Sequence, residues 1–563
     1  MNLRSFTMQS PGVLGLNTQQ QDDVLDPRYA TIANNCVIDR AGLLASRKGV
    51  KIANGTAATG TPTIDVMHSY VQDDGTEIIV STGGNKFWSG TTTMTDSTGS
   101  VSVTADYWKF QNIQGNVIGV QASHEPVWWD GSGNFEYLVD QNTQWSTPLS
   151  PSLGDLVVPT TRNGYYYECT TAGAVGGTEP TWDTTEGGTT ADNTVTWTTR
   201  QIPKSNEALA AFGRLWLLNE TGTAVEYSDL LIPHAFSGGS AGSIDLDTVW
   251  PNSNDTGVSL AVHNNNLIIF CERSIVIYAN ADNVDNIYLV ETITANGCIA
   301  RDTVQTIGDD IFYLSNDGVR TLGRTILQNN MPMGMVSDNI RDEMILSIQA
   351  ATYSHIQSTY NEQEGFYLIT FPDSMKAYVS DVRIKGTPRW LTWDETTLYG
   401  LCTGIDNTLR FGLESGYNAT YTGYLDGDPS TGDTDLVYSM KYRSGWVDSS
   451  AQVQLPSTSQ RIWKKAVWYM SSEFDLQVTS TWGFDFLSRD YSETKTLVGA
   501  PSAKYGIAQY GIDSYGATFD KDRINIQLRG TGALVRIGMQ LGINNGKFAF
   551  NRIDLFLKQG RMR

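Results

Sequence analysis

Residues 260–279 read LAVHNNNLIIFCERSIVIYA. A short apolar run gives way to three asparagines, a second run LIIFC follows, Glu-Arg-Ser turns the chain again, and IVIYA ends on an aromatic residue. Runs of β-branched and aromatic residues this short, punctuated by turn formers, predict an antiparallel meander. The same order of strand, polar or Gly turn, strand, turn and aromatic strand recurs five more times. It is found at 69–90 (SYVQDDGTEIIVSTGGNKFWSG), 110–131 (FQNIQGNVIGVQASHEPVWWDG), 209–229 (LAAFGRLWLLNETGTAVEYSD), 304–323 (VQTIGDDIFYLSNDGVRTLG) and 358–381 (STYNEQEGFYLITFPDSMKAYVSD). Residues 398–424 are either a further unit or the closing strands of the one before. A lone meander leaves both faces of its sheet open to water. Packing several around an axis buries those faces, and closing the ring shields the edges. The pattern therefore predicts a β-propeller of about six or seven blades over residues 61–435. Separate hairpins in stacked sandwiches are the competing arrangement.

Outward from the repeats the chain changes character. Residues 1–60 read as an extended N-terminal lead-in, with Asp26-Pro27 starting a turn and turn and strand signals over 39–49. Residues 142–200 interrupt the repeats with a Trp- and Tyr-rich insert. Residues 331–351 hold the one strong helix signal, with Ser337 as a cap and Ile340, Met344, Ile345 and Ile348 at helical spacing. Residues 436–563 read as a separate β-sandwich, with strands near 464–470, 474–480, 524–529, 534–539 and 548–557. The expected fold class is all-β: a propeller with an inserted small β domain and a C-terminal β-sandwich.

Composition agrees with that class. The 563 residues include 54 Gly, aromatics make up 10% and charged residues only 18%. The net charge of −21 is unevenly spread: residues 1–435 carry 22 basic and 50 acidic side chains, whereas residues 436–563 carry 17 basic and 10 acidic. Binding nucleic acid needs clustered Lys and Arg, so the acidic first part argues against it. The two parts are suited to face different surroundings. The five cysteines, Cys36, Cys169, Cys271, Cys298 and Cys402, are scattered and form no C-x-x-C pair, as expected of free thiols in a reducing cytoplasm. The first residues lack an apolar core of signal-peptide length, and no apolar run reaches the roughly 18 residues of a membrane helix. The expectation is a chain neither exported by a signal peptide nor anchored in a bilayer.

Catalytic and metal motifs are sparse. His68, His124, His234, His263 and His355 form no H-E-x-x-H motif and no close pair, and they read as surface or turn residues. Gly530-Thr531-Gly532 lacks the third glycine and the following helix of a phosphate-binding loop and reads as a hairpin turn. Asp426, Asp428, Asp433 and Asp435 lack the glycine and glutamate of an EF-hand and read as a solvated linker. Ser315-Asn316-Asp317-Gly318 is a fragment of the sialidase Asp-box with the wrong spacing. No catalytic residue, metal site or cofactor is expected, and the chain is not expected to be an enzyme.

Three segments together resemble one family. They are 25–30 (LDPRYA), 34–39 (NNCVID) with 42–49 (GLLASRKG), and 530–538 (GTGALVRIG) with 548–557. The first half is similar to the asparagine, short strand, glycine, arginine, glycine opening of the tail nozzle proteins of short-tailed bacteriophages (podoviruses), also called tail tubular protein B or phage stabilisation proteins. The helix after 331–334 is similarly placed late in the blade series, and the ending resembles their β-sandwich. The resemblance covers most of the chain except the insert. It implies a structural virion protein forming a homo-hexameric ring at the distal end of the tail, assembled in the host cytoplasm. It implies a tail tube or adaptor protein of the portal–tail complex as neighbour, with tail fibres or spikes and the host surface as further contacts. Genomic DNA would be retained and then ejected through the bore without sequence-specific binding. A receptor- or carbohydrate-binding tail protein and a propeller glycosidase are the alternatives.

The insert resembles a second family. Its stretches 154–158, 163–169, 177–182 and 195–197 look like the small aromatic β module of phage tail proteins, which is similar to chitin- and cellulose-binding modules. On that resemblance Tyr165, Tyr167, Trp182 and Trp197 are carbohydrate-contact candidates. A domain this small also needs such rings for its own core.

Overall fold

In a computed structural model of the chain, the described residues are 3–250, 255–294, 296–323, 335–384, 388–394, 398–421, 438–454, 459–472, 475–498, 522–543 and 547–560. The repeats form seven antiparallel blades of a propeller. The first is Val66–Val71, Glu77–Thr82, Phe87–Ser89 and Thr95–Asp96, and the second Lys109–Ile113, Asn116–Val120, Val127–Trp129 and Glu136–Tyr137. The third is Ser205–Ala211, Arg214–Asn219, Ala224–Tyr227 and Gly242–Asp245, and the fourth Gly257–His263, Asn266–Cys271, Ser274–Ala279 and Tyr288–Thr294. The fifth has three strands, Gln305–Ile307, Asp310–Ser315 and Gly318–Thr321. The sixth is Gln357–Asn361, Phe366–Phe371, Lys376–Asp381 and Arg389–Trp393. Local sequence explains the first hairpin of three blades. Gln114 and Gly115, Phe212 and Gly213, and Asn264 and Asn265 all have positive φ, as two-residue turns matched to strand twist require.

The seventh blade, Tyr399–Thr403, Leu409–Gly412 and Asn418–Thr420, takes its fourth strand from the N-terminal segment: Ile52 lies opposite Ala419 and Lys51 opposite Thr420. The lead-in is therefore not simply extended chain. Arg4–Gln9, Cys36–Ile38 and Leu44–Ser46 enter one sheet of the C-terminal sandwich, and Ile32–Asn34 enters the other. Open strand edges at the ring seam and on the sandwich supply the backbone partners that make this pairing favourable.

One sandwich sheet is built on the long strands Arg461–Ser472 and Phe548–Gln559. The other contains Tyr438–Arg443, Leu534–Ile543, Leu476–Phe484 and Tyr491–Leu497. Ile32–Asn34 pairs with Tyr438–Arg443 on one side and, through Asn34 and Thr392, with the sixth blade on the other. A single ten-stranded sheet thus runs from propeller into sandwich. Its core is continuous as well, with Leu314, Tyr367 and Trp390 of the propeller in one buried cluster with Tyr442, Trp468 and Phe550. The sandwich is joined to the ring rather than set apart from it.

The helix is shorter than its sequence signal: a 3-10 turn Asp338–Ile340 leads into Arg341–Ala350. Ser337 does not cap it. Its hydroxyl accepts the Val319 N–H at 2.9 Å, where Gly318 leaves room for it. Gly530–Gly532 is a short strand beside Arg461–Trp463 rather than a hairpin turn. A Cβ on Gly530 would lie 2.1 Å from the Phe484 ring, so the glycine admits that ring. The acidic stretch with Asp426, Asp428, Asp433 and Asp435 lies outside the described residues.

Candidate functional site

The innermost strand of each blade faces the propeller axis, and the axis collects buried charge. Lys109 Nζ lies 3.2 Å from Asp302 and 3.6 Å from Glu207. Arg301 binds Asp302 at 2.7 Å and donates to the Asn206 carbonyl at 2.7 Å. Ser259 donates to Glu207 at 3.1 Å. Three blades and one connecting turn meet in this network. Burial works against the charge of Asp302, but Arg301 and Lys109 outweigh it and hold the carboxyl below its ordinary range. For Glu207 burial wins over the same two cations and pushes the carboxyl up. Two cations against two anions leave no net charge, which suits a structural plug: a buried charge without its partner would cost several kcal/mol, of order 3–5.

Beside the plug is an axial cavity of about 360 Å³, lined by His68, Gln305, Gln357, Ser358 and Thr403 among others. Burial pushes the His68 imidazole down to about 4, and its Nε2 meets Asn112 Oδ1 at 2.8 Å. Gln357 is held from both ends, donating to the Asp65 carbonyl at 2.6 Å and accepting the Leu401 N–H at 2.9 Å. At the strand-start end of the axis, Tyr107 donates to Asp65 at 3.2 Å and stacks on His355 at 4.5 Å. His355 Nδ1 contacts Asp373 at 2.9 Å. Burial and the nearby Asp106 push Asp65 up to about 6. Such a group can exchange protons near neutrality, but the cluster brings no serine or cysteine nucleophile to it.

The cysteines offer none either. All five are buried, and burial pushes Cys402 in the axial cavity, like Cys271, up to about 12, far from a reactive thiolate. Among the described residues no group of three or more His, Cys, Asp or Glu side chains could hold a metal ion. No helix of the described residues is long and apolar enough to cross a membrane.

The insert forms its own five-stranded sheet, Thr143–Gln144, Leu156–Val158, Tyr166–Thr171, Val195–Arg200 and Thr189–Asp192. Of the four carbohydrate candidates, Tyr167 and Trp197 are fully buried among Trp145, Val157, Cys169 and Val195. Their faces are spent on protein, so they cannot stack on a sugar; the small module needs them as core. Tyr165 and Trp182 are half-buried against that core. Trp182 packs at a tilt against Tyr167 at 4.2 Å and its indole donates to Glu179 at 2.8 Å. Arg162 clamps the insert to the second blade, 3.5 Å over the Tyr137 ring and paired with Glu125 and Asp140.

The axial residues were not singled out by sequence. Their only trace is a polar residue at or just ahead of the start of six of the seven inner strands, Asp65, Tyr107, Asn206, Arg301, His355 and Tyr399. His68, His124 and His355 are engaged in the ring rather than being simple surface groups; His124, for instance, accepts the Thr104 N–H at 3.0 Å.

No family model and no curated protein matches the sequence. Solved structures share partial likeness. Virginiamycin B lyase from Staphylococcus aureus is 10% identical over 66% of this chain and 98% of its own, at a TM-score of 0.27. The Neurospora crassa Pan2 WD40 domain is 7% identical over 68% and 98%, at 0.34. The chain spans 40% of the length of the extracellular BT4673 domain from B. thetaiotaomicron, at 10% identity and a TM-score of 0.27. At these scores the likeness carries no argument about function, and the all-β propeller stands on its own strand pairing.

Proposed function

We propose that the chain is a structural protein of a phage particle, the nozzle that closes the distal end of a short tail. The observation that carries this reading is the place of the family-like segment 34–49. Asn35 donates to Asp394 at 2.8 Å and to the Ser439 carbonyl at 2.9 Å, and Arg47 donates to Asn35 at 3.0 Å while lying 3.9 Å over the Tyr438 ring. The residues of the resemblance are those that weld the sixth blade to the sandwich. A welded body suits a load-carrying ring around DNA under pressure. The acidic balance of residues 1–435 suits a bore through which DNA slides without sticking. On this reading six copies form the ring, a tail tube or adaptor protein holds it, and fibres or spikes and the host surface are its outer contacts.

Light scattering and negative-stain imaging of the purified chain, with and without the tail-tube neighbour of the same phage, test this. A closed ring of about six copies with a central hole is expected. A persistent monomer that never joins the neighbour would overturn it.

A further inference from the structure

The cavity on the propeller axis is walled by the inner strands of five blades, the first, second, fifth, sixth and seventh, and by Asp302 of the connecting turn. Its charge is already balanced. Lys109 and Asp302 are the only Lys, Arg, Asp or Glu residues on its wall, and they face each other at 3.2 Å. The wall therefore offers an ionised guest no spare counter-charge to replace its lost hydration.

Among the described residues, three neutral groups on the wall are left without a partner. Gln111 stands two residues beyond Lys109, on the same face of its strand, and its amide makes no hydrogen bond. Gln305 spends its amide N–H on the Ser358 carbonyl at 3.0 Å and keeps its side-chain oxygen free. Asn112 donates its own amide to the Ser69 carbonyl at 3.0 Å, so its oxygen is what meets His68 Nε2 at 2.8 Å. That bond puts the ring proton on Nε2 and, with burial holding the imidazole neutral, leaves Nδ1 as an open acceptor. Val66, Phe110 and Leu401 share the wall with these groups. Gln111 and Gln305 are half-buried and Asn112 is exposed, so the polar end of the cavity reaches solvent. At about 360 Å³ the cavity lies at the small end of ligand sites, which run from roughly 300 to 1,000 Å³.

We propose that the axial cavity binds an uncharged polyhydroxylated molecule of monosaccharide size. A sugar hydroxyl both donates and accepts, which matches a wall holding a free amide, a free side-chain oxygen and an open imidazole nitrogen. The carbon face of a sugar ring suits the apolar wall between them. This site is separate from the aromatic insert and does not depend on the tail assignment.

Saturation-transfer NMR and calorimetry of the full chain with D-glucose, D-galactose, N-acetyl-D-glucosamine and myo-inositol test this, with L-serine and inorganic phosphate as ionised probes. At least one neutral probe is expected to bind with a dissociation constant of about 1 mM or below, and both ionised probes at least about tenfold more weakly. Gln305→Leu should weaken the neutral probe by about threefold to tenfold, the loss of one hydrogen bond. Gln111→Leu should do the same with an unchanged melting temperature, because its amide holds nothing in the fold. Trp182→Ala, in the insert, should leave the binding as it was. Three outcomes would overturn the proposal: no neutral probe bound at about 10 mM, serine or phosphate bound more tightly, or binding indifferent to both glutamine variants. Binding lost with Trp182→Ala would overturn it too, by moving the sugar to the insert.

Discussion

Asp192 accepts the Trp145 indole at 2.8 Å and the Trp197 indole at 3.3 Å, so one carboxylate orients two rings in the middle of the insert. Trp197→Ala removes a fully buried ring and is expected to cost about 3–5 kcal/mol, read as a lowered denaturant midpoint. Trp182→Ala, at a half-buried ring, should cost much less. If the insert takes sugar at all, only Trp182→Ala or Tyr165→Ala can weaken polysaccharide retention in affinity electrophoresis without unfolding the module. Asp65 yields a different expectation. Its carboxyl is pushed up to about 6 in the folded ring, above its unfolded value near 4. The folded state therefore binds more protons between those values, and stability falls as pH rises from about 4 to about 6. Asp65→Asn keeps an acceptor for Tyr107 and should flatten that part of the melting-temperature profile. A profile that superimposes on the unmodified chain would count against a titrating Asp65.

The elements differ in how openly the sequence announces them. The meanders were legible because each combines a two-residue period with turn formers. The seventh unit was legible as a possibility, but its closing strand Lys51–Ile52 was not, since two residues carry no period. Tyr491–Leu497 escaped notice because its residues are mostly polar and exposed. Tyr438–Arg443 did carry a signal, with buried Tyr438, Met440 and Tyr442 alternating with more exposed neighbours. The axial network was illegible because Lys109, Glu207 and Arg301 come from distant units and meet only when the ring closes. The closing strand is also a narrow seam, two residue pairs wide. The Ala53 N–H donates to the Asn418 carbonyl at 2.8 Å, so Ala53→Pro, which removes that donor, should cost about 1–3 kcal/mol. Limited proteolysis of that variant should cut first in the seventh blade; an unchanged cleavage pattern would mean the seam contributes little.

On the scale of the whole molecule, the ten-stranded sheet and its shared core couple ring and sandwich. Two independent domains would give two heat-absorption peaks. The continuous core predicts that the sixth blade and the sandwich melt together in one calorimetric transition, and two well-separated peaks from those parts would contradict it. The family-like segment could be recognised as a string of residues, but its welding role could not, because its partners Asp394, Ser439 and Tyr438 lie some 350 residues or more further along the chain.

That separation has a consequence for how the chain is made. Arg4 lies opposite Leu557 and Lys51 opposite Thr420, so the first strands off the ribosome wait for partners synthesised last. At about 5–20 residues per second that wait is roughly half a minute to two minutes, during which blades can form but the ring cannot lock. The ring therefore cannot close before residues 418–420 have been made. A nascent chain halted before residue 418 holds unsatisfied edges at both ends of the ring, which makes it a natural client for a holding chaperone and an aggregation risk when expressed faster than it can be sheltered.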